Sequence, residues 1–116
     1  MNKLLNKSKS NSEIAREVRV AEHFLARLRG LMFAHGMAQH SALWIKECKS
    51  IHTCFMNFSI DAIFIDQNRV VKRMYQSLKP WRMTRIVWQA DSVIELPAGT
   101  LKNLHVDIGD ELYVGD

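Results

Sequence analysis

A chain of 116 residues and 13.4 kDa holds one domain, because a globule of this length buries about two thirds of its unfolded surface and needs neither metal nor disulfide to make a core. Its 47% hydrophobic and 24% charged residues exclude a disordered polymer, and no apolar run approaches the roughly 20 residues of a membrane-crossing helix. The net charge of +4 would draw phosphate or anionic lipid by long-range steering, but no zinc finger, helix-turn-helix or stacking pattern accompanies it, which argues against nucleic acid as the partner.

Residues 1–13, MNKLLNKSKSNSE, carry Lys3, Lys7 and Lys9 but only Leu4 and Leu5 where a secretory signal needs roughly 7 to 15 apolar positions. They are expected to form a flexible basic tail ahead of a globular domain at 14–116, and the missing signal together with only two cysteines points to the cytoplasm. IAREVRV at 14–20 suits a half-buried strand with Ile14, Val18 and Val20 on one side and Arg16 as its misfit. In EHFLARLRG, Phe24, Leu25, Leu28 and Leu31 recur at helical spacing and Gly30 is a left-handed stop. MFAHGMAQHS reads as a loop, and a strand begins near Ala42.

IDAIFID has apolar groups on both parities, as in a strand covered on both faces. Asp66, Gln67 and Asn68 supply turn chemistry, so 60–76 is a hairpin. Pro80 breaks ladder pairing in LKPWRMTRIVWQ, which becomes a loop or edge segment. SVIEL at 92–96 is a short strand, Pro97 fits the first position of a helix with Ala98, Leu101 and Leu104 on one side, and Gly109–Asp110 turn into a last strand, ELYV. The expected class is α+β, mainly β: a small bent antiparallel sheet or barrel with two short helices.

RGLMF at 29–33, CKSIHTCFMNFSIDAIFID at 48–66, LKPW at 78–81 and VIELPAGTLKNLHVDIGDEL at 93–112 together resemble the family catalogued as domain of unknown function 192, over about residues 16–114. The branch it resembles most has a Pro-Ile-Asp strand preceded by the pattern of Cys48, Ser50, His52, Thr53 and Met56; here Ser59 replaces the proline. The resemblance implies a compact β-rich domain with no assigned activity.

Were 48–54 extended, Cys48, Ser50, His52 and Cys54 would share one face. The two thiols would then stand about 20 Å apart, too far for a disulfide or one shared ion, and their spacing matches no zinc knuckle. No metal or cofactor is expected, and the cysteines read as structural. Asp61 is the sharper puzzle, since a carboxylate in an apolar strand is costly unless it is paired. It accepts main-chain N–H groups, meets His52, or floors a pocket. Glu95, just before Pro97, raises the same question, with exposure the commoner fate. Arg29 is a salt partner for either acid or a cation at a helix end.

Trp81 and Trp88, interleaved with Arg82 and Arg85, either cover the end of a barrel or form a stacking surface for an anionic or aromatic ligand. Met32, Met37, Met56, Met74 and Met83 read as gap fillers. The favoured function is a noncatalytic domain binding a partner protein or small ligand at a site bordered by His52, Asp61, Trp81, Arg82 and Glu95. The alternatives are a small enzyme using His52 and Asp61 as acid and base, and a weak binder of anionic polymers through the tail and residues 79–85.

Overall fold

Residues 2–22, 36–54 and 56–115 are described by the computed structural model. The most buried element is β5 (Ile60–Ile65), all six residues of which are inaccessible, as apolar groups on both parities require. It lies in a five-stranded sheet with β3 (Glu17–Ala21), β4 (Ser41–Lys46), β6 (Val71–Leu78) and β7 (Ser92–Pro97), in the order β3-β4-β7-β5-β6. Only β3 and β4 run parallel. A second sheet orders β1 (Lys3–Asn6), β2 (Ser12–Ala15) and β8 (Leu112–Gly115) as β2-β1-β8, all antiparallel.

Each face of the large sheet has its own core. Toward the small sheet, Ile63, Ile65, Ile94 and Leu96 pack with Leu4, Ile14 and Leu112. On the other face, Leu43, Ile45, Phe64 and Val93 are covered by Ile51, Met56, Val87 and Ala90 from two extended loop segments. The 60–76 hairpin forms as expected: Asp66 Oδ1 accepts the N–H groups of Asn68 and Val70 at 2.9 and 3.0 Å and closes the turn.

Several expectations are corrected. Among the described residues the strands make two stacked sheets and no closed barrel. Within the segment 1–13 expected as a tail lie β1 and the start of β2: Leu4 is fully buried and β1 pairs with both β2 and β8, strands too short for periodicity to reveal. The strand foreseen at 14–20 is two strands in different sheets. Its misfit, Arg16, marks the crossing, where His40 O accepts the N–H groups of both Arg16 and Glu17, and Val20 is exposed.

Residues 98–104 form turns instead of a helix. Gly99 takes φ +93°, outside the helical region, and Leu101 N donates to Asp61 Oδ2 at 2.8 Å, a bond that a helix would direct to the Pro97 carbonyl. Beyond Glu22 the helix foreseen at 22–30, with Arg29, lies outside the described residues, as does Met32.

The small sheet is clasped by Asp110. Its carboxylate accepts from Asn6 Nδ2 at 2.9 Å, Lys9 Nζ at 2.8 Å and the Asp107 N–H at 2.9 Å. Desolvation pushes that carboxyl upward, but Asn6, Lys9 and the Asp107 amide outweigh it and hold it at about 2. A depressed carboxyl contributes stability that is complete above its ordinary value of 3.8 and is lost as pH falls through about 2. The thermal midpoint should therefore fall over that interval, and Asp110→Asn should flatten the fall measurably in melts taken by circular dichroism.

Candidate functional site

Asp61 is fully buried on β5. Its Oδ1 accepts Ser77 N and its Oδ2 accepts Leu101 N, each at 2.8 Å. Across the β5–β6 ladder Ile60 faces Leu78 and Ala62 faces Tyr75, so two residues of β6, Gln76 and Ser77, oppose Asp61 alone. That is a β-bulge, with Ser77 at φ +51°. The carboxylate supplies the acceptor that lets Ser77 leave the ladder, and the bulge bends β6 as it runs into 79–81. Asp61 is thus met by main-chain donors, one of the three fates its sequence allowed. It faces the core between the sheets, in register with Leu96.

His52 lies elsewhere. It is exposed and forms an isolated antiparallel bridge with Met83, in an extended ribbon made of 49–53 and 81–88 over the opposite face of the large sheet. The ribbon is held from beneath. Val87 N donates to Lys49 O at 2.8 Å, Thr84 N to Ile51 O at 2.9 Å, Thr53 N to Arg82 O at 2.8 Å and Trp81 N to Thr53 O at 3.1 Å. Thr84 Oγ1 accepts Ile51 N at 3.0 Å. The buried Thr53 hydroxyl donates to Lys79 O at 2.6 Å and accepts Arg82 N at 2.9 Å, which fixes Trp81 at φ +61°, a region costly for a bulky residue.

Because Ile51, Thr53, Thr84 and Val87 point into the core, the residues between them point out. Trp81 is 60% exposed, Met83 77%, Ile86 50% and Trp88 73%. The tryptophans therefore do not cover the end of a barrel, and Met83 does not fill a gap, although Met56 does and Met37 and Met74 are partly buried against the cores. Lys49, Lys79, Arg82 and Arg85 are exposed beside them. His52, Trp81 and Arg82 share this surface, while Asp61 lies across the sheet from it.

Glu95 is fully buried, not exposed. It stands in register with Leu43 on β4 and Ala62 on β5, beneath the loops of the second core. On the same row, Tyr75 packs edge-on against Phe64 with centroids 6.0 Å apart, and its buried hydroxyl makes no hydrogen bond among the described residues. Two clefts of about 330 Å³ open elsewhere, one bounded by Ile14, His40, Pro97 and Leu104, the other by Lys49, Asp66, Lys72 and Asp91. Neither is lined by His52, Asp61, Trp81, Arg82 or Glu95.

Residues 48–54 do not present one polar stripe. Cys48 is buried, its Sγ donating to Ser50 O at 3.0 Å, while His52 is exposed and Cys54 half-buried. No disulfide joins the two cysteines. Among the described residues no three His, Cys, Asp or Glu side chains gather as a metal site would require.

The family model for DUF192, described as "Uncharacterized ACR", matches residues 5–114. The chain belongs to the DUF192 family. The match begins within β1, consistent with the folding of the amino-terminal strands into the domain. A UPF0127 protein of Pyrococcus horikoshii is 37% identical over 94% of this chain and 96% of its own length; one of Thermococcus sibiricus is 35% identical over 94% and 72%. Two solved structures share the fold. A "putative transcription regulator" of Sinorhizobium meliloti superposes with TM-score 0.77 at 22% identity, covering 97% of this chain and 91% of that one. A protein of unknown function from Novosphingobium aromaticivorans gives 0.76 at 16%, covering 97% and 82%. At such identities the likeness is one of fold.

Two substitutions separate the roles of the buried polar groups. Asp61→Asn replaces one acceptor by a donor facing a main-chain N–H and should cost about 1–3 kcal/mol in urea unfolding. Thr53→Val keeps the volume but removes the hydroxyl bonds to Lys79 and Arg82. It should accelerate hydrogen exchange at the Arg82 amide while β5 and β7 amides stay protected.

Proposed function

We propose that this DUF192 domain is a noncatalytic binding protein that engages its partner through the outer face of the 49–53/81–88 ribbon. The observation that carries this reading is the display of Trp81, Met83, Ile86 and Trp88 at 50–77% exposure within eight residues. Single apolar residues are normal on a protein surface, but four large ones within eight residues, two of them tryptophans, favour an interaction site. The ribbon is anchored by hydrogen bonds beneath, so the display is held in one shape before any partner arrives, which lowers the ordering cost of association. His52, Trp81 and Arg82 belong to the site; Asp61 positions it through the Ser77 bulge.

Acid–base catalysis by His52 and Asp61 receives no such support, because both carboxylate oxygens accept main-chain N–H groups inside the core. Cys48 and Cys54 are not bridged, which suits a reducing compartment, and we place the protein in the cytoplasm. Among the described residues no helix is long and apolar enough to cross a membrane.

Photo-crosslinking in living cells tests the reading. A photoreactive amino acid at Met83 should give discrete adducts, whereas the same group at Ile108, exposed in the turn at the other end of β6, should give few. Equal labelling at both positions, or none at Met83, would refute the ribbon as the binding surface.

A further inference from the structure

We infer that the partner of the ribbon is an anionic bilayer surface, with Trp81, Met83, Ile86 and Trp88 seated at headgroup depth and Lys49, Lys79, Arg82 and Arg85 meeting lipid phosphates. The inference rests on the reading of the ribbon as the binding face and adds the chemistry of what it binds.

Charge is the first argument. The two stretches that build the ribbon and its flanks, 48–60 and 76–90, contain those four cations and no carboxylate, although the whole chain carries 12 acidic residues. The acids that border these stretches, Glu47 and Asp91, lie at the Lys49 end, where Asp91 shares a cleft with Lys49, so the attraction to anionic lipid, to which each nearby Lys or Arg adds, is carried chiefly by Lys79, Arg82 and Arg85. Apolar composition is the second. Tryptophan prefers the membrane interface, where its ring sits among headgroups, and long cationic side chains extend their stems along apolar surface while their charges reach phosphate.

The N–H groups of Trp81, Arg82, Thr84 and Val87 are bonded on the protein side, to Thr53, Ile51 and Lys49, so the ribbon keeps its shape at the surface without entering the hydrocarbon. Lys49 Nζ also holds the Trp88 carbonyl at 3.1 Å. Finally, the four apolar side chains are 50–77% exposed, and neither of the two 330 Å³ clefts includes them. Projecting side chains suit a medium that deforms around them; a protein partner would have to bring matching pockets.

The full chain should co-sediment with vesicles of phosphatidylcholine and phosphatidylglycerol and much less with phosphatidylcholine alone. Binding should shift tryptophan emission to the blue, since Trp44 is buried and the two exposed tryptophans supply the change. Arg82→Ala with Arg85→Ala should weaken partition about 25-fold, or about fivefold per cation, and Trp81→Ala with Trp88→Ala should weaken it at least tenfold and abolish the blue shift. All four side chains are exposed, so unchanged thermal melts are expected, and Ile108→Ala should bind as the parent does.

No partition onto the anionic vesicles overturns the inference. So does partition insensitive to the tryptophan pair and matched by heparin or polyglutamate, which would mark simple attraction to polyanions. If Met83 crosslinks only to an acidic protein while vesicles fail, the binding face stands and its lipid assignment falls. If Met83 gives no adducts at all, the binding reading itself fails.

Discussion

One buried carboxylate sets the geometry on which the candidate site depends. Asp61 binds two main-chain donors that sheet and helix geometry would otherwise employ, Ser77 N and Leu101 N. Taking the first creates the bulge at the end of β6; taking the second keeps 98–104 in turns. The cost of burying the acid is offset by charge-assisted bonds, and the result is a specific bend in the chain immediately before Lys79.

From that bend the chain enters the ribbon, where Thr53 plays the corresponding part on the other face of the sheet. Its hydroxyl and its main-chain groups make contacts with Lys79, Trp81 and Arg82, tying the loop after β6 to the loop after β4. The large sheet therefore has one face committed to structure, packed on β1, β2 and β8, and one face covered by loops whose undersides complete a core and whose outer sides are left to recognition. Beneath the ribbon the Thr53 and Thr84 hydroxyls are hydrogen-bonded, and the residues above are exposed, large and cationic.

Family membership and fold agree with this picture without supplying an activity. The related structures share the two-sheet architecture at identities too low to transmit function, so the argument for binding stands on the exposed ribbon alone. Glu95 and the Tyr75 hydroxyl, buried on the ribbon's side of the sheet, show that this face is also polar at depth. The face toward the small sheet likewise buries one acid, Asp61, among Ile63, Ile94 and Leu112.

Local pattern alone determined the β-rich class, the buried run of β5, the Asp66 turn with its hairpin, and the need for Asp61 to find donors, because alternation, turn chemistry and desolvation act over a few residues. It also brought His52, Trp81 and Arg82 forward as site candidates. Tertiary structure decided the rest. Leu4 joins a core through pairing with residues more than a hundred positions away; Arg16 is a crossing between sheets because His40 accepts from it; residues 98–104 stay unwound because an acid forty residues earlier takes the Leu101 amide. The exposure of Met83, Ile86 and Trp88 followed from which side of 81–88 met Ile51 and Thr53, a question of pairing between segments thirty residues apart that no local periodicity encodes.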